Sequence, residues 1–147
     1  MKNKMQKSNN FDVHDIEGEG FVYSKKVEDH FFHPRNVMSD DLKQGDFDAK
    51  GEIGSPACGD VMKIWIKVDK KTDKITDLKW KTFGCASAIA ATSVLSEMAT
   101  GMTLDEAYKI TPQDIVKELG GLPRRKIHCS ILGDQALRAA IDNFRLS

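Results

Sequence analysis

The chain has 147 residues, enough for one domain with one hydrophobic core. Hydrophobic residues make up 40% and charged residues 30%, an ordinary soluble composition, and no apolar run is long enough to span a bilayer. Lys and Arg number 22 and Asp and Glu number 22, so no field of one sign covers the molecule, and neither nucleic acid nor an acidic membrane is an expected partner.

Met1 to Gly20 is polar and lacks a usable periodicity. Its opening, MKNKMQKSNN, has lysines but no apolar stretch after them, unlike a secretory signal, and it lacks the arginine-rich character of a transit peptide. The reading is a mobile tail over 1–20 ahead of one domain over 21–147, with a cytoplasmic location by default. Phe21 to Phe32 carries apolar residues near helical spacing, and Pro34 ends that helix. Asn36 to Gly51 reads as loop, with a strand entering near Ala49 to Ile53.

Val61 to Val68 is the clearest strand. Met62, Ile64, Ile66 and Val68 alternate with Lys63, Trp65 and Lys67. After the turn DKKTDK, Ile75 to Phe83 gives a second strand, and the short connection favours an antiparallel pair. Trp65 falls on the polar phase, where it either meets a partner or packs on a helix.

The second half is helical. Ser87 to Thr100 is alanine-rich, with Ala88, Ala91, Val94, Leu95 and Met98 on one stripe and Gly101 closing it. Thr103 and Glu106 form a capping-box pattern. Thr111-Pro112 starts another helix, with Asp114 near the positive end of its dipole and Gly120-Gly121 at its end. A last helix runs from about Ser130 to Phe144. Strands followed by helices imply an α+β domain: a small antiparallel sheet of about three strands with helices packed on one face.

There are three cysteines, an odd count that argues against a disulfide framework. Each stands at an element boundary. Cys58 lies in GSPACGD, in front of the first clear strand and two residues before Asp60. Cys85 follows Gly84 at the start of the alanine-rich helix. Cys129 follows His128 at the start of the last helix. A thiol at a helix N-terminus meets unpaired amides and the positive dipole end, which favour the thiolate. A lone cysteine is usually a small buried hydrophobe. Three at chain breaks, with a carboxylate and an imidazole beside them, form a mixed sulfur, nitrogen and oxygen donor set suited to zinc or to iron–sulfur chemistry. The spacing is long and has no Cys-x-x-Cys, so the site must be assembled from separate elements. The histidines His14, His30 and His33 read as surface residues.

The stretches GSPACGDVMKIWIKV, KTFGCASAIAATS, KIHCSILGDQALRAAI and YSKKVEDHFFHPRNV resemble the IscU/NifU-type iron–sulfur cluster scaffold proteins over about Tyr23 to Ile141. The resemblance implies an IscU/SufE-like fold. It implies a scaffold, not an enzyme in the turnover sense. Such a scaffold takes sulfur from a cysteine desulfurase and iron with the help of a frataxin-like protein or a ferredoxin. It builds a labile [2Fe–2S] cluster and transfers it to apo-proteins. Cys58, Cys85 and Cys129 would be cluster ligands, with His128 and Asp60 as alternative or assisting ligands, and Zn2+ would bind the same set. Cys129 or Cys58 would carry a transient persulfide.

The compact segment from Gly101 to Leu122 and the presence of His128 favour an IscU-type scaffold over the zinc-dependent SufU branch. A SufU-like zinc-binding sulfur acceptor and a structural zinc domain are the alternatives. A Cys-nucleophile enzyme would leave two thiols without a role. Leu122-Pro-Arg-Arg-Lys126 departs from the family's Leu-Pro-Pro-Val-Lys, which weakens the case for an Hsp70-type chaperone. The same basic patch suits an acidic partner. His33 and Met38 also depart from the pattern, at positions expected to affect docking. A carboxylate or imidazole as fourth ligand suits iron–sulfur chemistry less well than a fourth thiolate, which would make the cluster easy to release.

Overall fold

The computed structural model describes residues 24–39, 43–55, 60–83, 86–122 and 127–147. Expectations for the tail over 1–20 and for the basic patch Arg124–Lys126 lie outside them. Three strands, β1 (Ala49–Ser55), β2 (Asp60–Asp69) and β3 (Lys74–Phe83), form one antiparallel sheet in the order β1-β2-β3. The helices are α1 (Lys25–Phe32), α2 (Ala86–Ala99), α3 (Leu104–Tyr108), α4 (Pro112–Leu119) and α5 (Ile127–Leu146). The α+β expectation holds.

The alternation in β2 does what the pattern requires. Met62, Ile64, Ile66 and Val68 are buried in the core with Ile75, Leu78 and Trp80 of β3. The core continues into Val94 and Leu95 of α2 and Leu137 and Ile141 of α5. The alternate residues Lys63, Trp65 and Lys67 pair with Lys81, Lys79 and Asp77 on the opposite face. Trp65 nevertheless is buried, and the Lys50 ammonium sits 5.6 Å from its ring centroid. It is therefore neither an open partner contact nor part of the helix-facing core.

The single apolar stripe expected for α2 is not what forms. From Ala90 through Ser96 every residue is buried, while Met98 is only half-buried. This helix has neighbours on several sides: α1, α4, α5 and β3 all pack on it. Small alanines and serines suit such a crowded position, because they let several backbones approach at once.

The capping signals are realised. The Thr103 amide donates to Glu106 Oε1 at 2.9 Å, and the Glu106 amide donates to Thr103 Oγ1 at 3.2 Å. Thr111 and Asp114 repeat the arrangement at 3.0 and 3.1 Å. These bonds hold the Asp114 carboxyl below its ordinary pKa. Gly120, at φ +85°, closes α4 in the left-handed region.

The loop after α1 ties helices to sheet. Asn36 adopts φ +64°, a conformation asparagine tolerates better than most residues. Its carbonyl accepts from the Trp80 amide at 3.1 Å, and its Nδ2 donates to Ser96 Oγ at 2.9 Å. The Trp80 indole N–H donates to the Arg35 carbonyl at 2.7 Å. Two sequence expectations change here. His30 is buried, not a surface residue, because its Nδ1 lies 2.7 Å from Ser93 Oγ against α2. Burial lowers its pKa, and the Arg35 charge adds to the effect. Met38 is buried too, with its amide donating to the Trp80 carbonyl at 2.8 Å, so it packs inside the fold. His33 is exposed as expected.

The strand β1 is longer than expected and is fixed by a close approach. A Cβ on Gly51 would collide with the Ala136 carbonyl oxygen and the Ala140 amide of α5. Next to it, Asn143 Nδ2 donates to the Lys50 carbonyl at 2.6 Å. Glycine is required at 51 because α5 backbone occupies the space. Gly51→Ala should lower unfolding stability by roughly 2–3 kcal/mol, since the obstacle is backbone that cannot rotate away. Denaturant midpoints of the two proteins check this, and an unchanged midpoint would show that α5 does not sit so close.

Candidate metal centre

Side-chain positions at Cys58, Asp60, Cys85, His128 and Cys129 lie outside the described residues, so the site is built from the backbone that flanks them. Ser55 ends β1 and Asp60 opens β2, and the two are paired. Cys58 falls in the sequence between them. The next pair along, Val61 with Phe83, brings the end of β3 to the same end of the sheet. The Thr82 hydroxyl reinforces that end by donating to the Val61 carbonyl at 2.7 Å. Two residues, Gly84 and Cys85, connect Phe83 to Ala86, where α2 begins.

The direction of α5 follows from three contacts. Asn143 meets Lys50, and Ala140 and Ala136 meet Gly51. Gly133 meets Leu95 and Thr92 of α2, and the Thr92 hydroxyl lies 3.5 Å from the Met62 sulfur, two residues from the start of β2. Falling residue number along α5 therefore matches rising residue number along β1. The first turn of α5 points to the sheet end that carries Ser55, Asp60 and Phe83. His128 and Cys129 belong to that turn, because α5 starts at Ile127, three residues earlier than the sequence suggests. From Gly133 back to Cys129 the helix rises only about 6 Å. The backbone thus brings the neighbours of all three thiols to one end of the fold. Among the described residues no group of three or more His, Cys, Asp or Glu side chains forms a metal site elsewhere.

One buried carboxylate in this helix was not singled out from the sequence. Asp134 lies one turn past Cys129, with its side chain 1% exposed. Oδ2 pairs with the Arg138 guanidinium, whose Nη1 donates to the Ile110 carbonyl at 3.0 Å. Oδ1 is buried without a hydrogen-bond partner. Desolvation raises the Asp134 pKa although Arg138 opposes the shift. The only sequence signal was the i, i+4 spacing of Asp134 and Arg138. A pocket of about 480 Å³ lies elsewhere, at the C-terminal end of α2, lined by Met98, Met102, Lys26 and Glu118 among others; it contains none of the five candidates.

The fold defines a class: an α+β domain that brings the chain neighbours of three dispersed cysteines to one end of a three-stranded antiparallel sheet. The sequence pattern of the family described as NifU-like N terminal domain matches residues 22–147, and the chain belongs to that family. It is 53% identical over 125 residues to the "iron-sulfur cluster assembly scaffold protein IscU 1" of Archaeoglobus fulgidus, covering 84% of this chain and 78% of that one. It is 50% identical over 125 residues to the "nitrogen fixation protein NifU" of Trichormus azollae, again covering 84% of this chain. The matched region spans 42% of that longer protein. A solved structure of a NifU-like protein (N-terminal) from Brucella abortus superposes with a TM-score of 0.64 at 16% identity, covering 84% of this chain and 94% of the other. That likeness shows the fold.

Arg138→Met should cost about 3 kcal/mol at pH 8, because it leaves the Asp134 carboxylate buried and unpaired. Asp134 has a raised folded-state pKa, so its protonated form favours the fold and the penalty should shrink as pH falls toward 5. Adding Asp134→Leu should recover most of the loss. Equal destabilisation at both pH values, measured by denaturant titration, would contradict a charge-burial cost.

Proposed function

We propose that this protein is a scaffold on which an iron–sulfur cluster is assembled and from which it is handed to apo-proteins. The observation that carries the proposal is the convergence of the paired strand ends Ser55 and Asp60, the end of β3 and the first turn of α5 at one end of the sheet. Family membership and the scaffold names of relatives about 50% identical support it. Cys58, Cys85 and Cys129 are the thiolate ligands. His128 or Asp60 completes the set, and the cargo is a [2Fe–2S] cluster. Three thiols, an imidazole and a carboxylate suit iron–sulfur or zinc binding, so Zn2+ held by the same donors is a second state of the site.

The chain's own residues supply three properties. Cys129 lies in the first helical turn, where unpaired amides and the dipole favour its thiolate. Gly54 and Gly59 flank the Cys58 segment with residues that tolerate a wide range of backbone angles, which suits a ligand that must exchange partners. A hard oxygen donor at Asp60 holds iron less firmly than sulfur would. Sulfur comes from a cysteine desulfurase, and iron or electrons from a frataxin-like protein or a ferredoxin. The protein carries its cargo without catalytic turnover. No described helix is long and apolar enough to cross a membrane, and a cytoplasmic location goes with this reading.

Anaerobic incubation with ferrous iron, a cysteine desulfurase, cysteine and a thiol reductant, which supplies the electrons that turn persulfide sulfur into sulfide, tests the assignment through visible absorbance. Replacement of any one of Cys58, Cys85 and Cys129 by serine should abolish a stable cluster absorbance. Normal assembly in all three variants would contradict the ligand set. Asp60→Ala should leave the far-ultraviolet circular dichroism unchanged, lengthen the cluster lifetime and slow transfer to apo-ferredoxin. A variant that lost its cluster faster and delivered it equally fast would make Asp60 an anchor instead.

A further inference from the structure

Helices α2 and α5 both start at the sheet end that leads into the proposed thiol site, and they run the same way from it. The far end of α2 returns to the start of β3, where the Gly101 amide donates to the Ile75 carbonyl and the Ile75 amide donates to the Met102 carbonyl, each at 2.8 Å. The far end of α5 meets Lys50 at the start of β1. Both β1 and β3 are antiparallel to β2, so these two starts share one end of the sheet. The helices are therefore parallel. Their aligned dipoles put two positive ends together, which opposes close approach. Neither first turn carries a carboxylate to offset this, whereas Glu28, Glu106 and Asp114 do so in α1, α3 and α4. Packing must hold the two starts together.

Gly133 marks where the helices meet. A Cβ there would stand 3.2 Å from Leu95 Cδ2 and 3.6 Å from Thr92 Oγ1. Leu95 and Thr92 are buried, so neither can relax into solvent. The Thr92 hydroxyl is held from both sides: it donates to the Ala88 carbonyl at 2.7 Å and lies 3.5 Å from the Met62 sulfur. Thr92 is the seventh residue of α2, and Gly133 is the seventh of α5. Both helices thus start at one level, about 9 Å from the contact. Cys85 immediately precedes α2 in the sequence, and Cys129 is the third residue of α5.

We propose that Gly133 is a positioning residue for the thiol site: having no side chain, it sets the separation of α2 and α5 at their first turns, and through it the spacing of Cys85 and Cys129. This rests on the reading of those two cysteines as ligands of one cluster. Helix axes pack about 8–10 Å apart, depending on the side chains at the contact. A large residue at 133 moves the first turns apart by about 1–2 Å. A metal–sulfur bond is only about 2.3 Å long. A cysteine has a single side-chain rotation with which to make up such a change.

Thiol cross-linking of the metal-free chain with dibromobimane tests this, in a Cys58→Ser background that leaves only Cys85 and Cys129. The parent should form the Cys85–Cys129 adduct. Gly133→Leu should slow it about fivefold or more, and Gly133→Ala only about twofold, because the tip of Leu95 can shift slightly. Adding Leu95→Ala to Gly133→Leu should restore the rate to within about twofold of the parent, since the two changes exchange volume across one contact. Val68→Ala, a core truncation at the other end of the sheet, should leave the rate unchanged. Far-ultraviolet circular dichroism establishes which variants are folded and therefore compared. A parent that forms no adduct, variants at 133 that react at the parent rate, or no recovery on adding Leu95→Ala would each overturn the proposal. The cross-link needs no metal. Failure of the scaffold reading would appear separately, as a chain with all three cysteines that assembles no cluster while the cross-linking follows the expected pattern.

Discussion

Helix α5 crosses β1 at a point where no side chain fits between them. Gly51 faces the Ala136 carbonyl and the Ala140 amide, and Asn143 fastens the next residue down. This backbone contact fixes both the height and the direction of α5 on the sheet. Its first turn, with His128 and Cys129, is thereby carried to the end where β1 gives way to β2. The small residues of α2 make a second such accommodation, with Gly133 lying against Thr92 and Leu95. Moving α5 by one turn along the sheet would shift its start by about 5 Å, more than twice the length of an iron–sulfur bond. Packing at Gly51 thus sets where the first turn of α5 lies relative to the ends of the strands.

A second group of contacts holds the helical layer in place. Arg35 and Asn36 sit between α1, α2 and β3, and their carbonyls accept from the indole and amide of Trp80. His30 is neutral by preference in this setting, because burial and the Arg35 charge both disfavour its ionised form. The Glu97 carboxylate lies 3.5 Å from His30 and 3.7 Å from Arg35, which restrains the group from the solvent side. These interactions secure the start of the domain to α2, and only two residues separate the end of β3 from the start of α2. The same helix therefore links the stable core to the place where Cys85 enters.

Much of this was legible in the chain itself. Alternation marked β2 and β3, since one face of each is buried and period two is the only pattern that allows it. Threonine caps and glycine stops marked α3 and α4, because those signals act locally. The strand β1 was only partly legible: AKGEIGS has two glycines and little strand propensity, and it pairs because β2 and α5 hold it from both sides. Solvent exposure was misjudged for His30 for a similar reason. Its hydrogen-bond partner, Ser93, is 63 residues away, and no local pattern reports that. Asp134 escaped notice because a carboxylate near an arginine on a helix usually marks solvent exposure. As for the site, the cysteines announced themselves by standing at breaks in the chain. That their chain neighbours converge depended on the direction of α5, which the contacts of Asn143, Gly51 and Gly133 establish together.

The account rests on one claim: the three thiols act together on one cluster at the end of the sheet. The Mössbauer spectrum of the anaerobically reconstituted, 57Fe-labelled protein tests it most directly. A pair of antiferromagnetically coupled ferric ions with sulfur-rich coordination, lost on replacement of Cys58, Cys85 or Cys129, is the predicted result. A spectrum of isolated high-spin iron with nitrogen and oxygen ligands, unchanged by those replacements, would contradict the account.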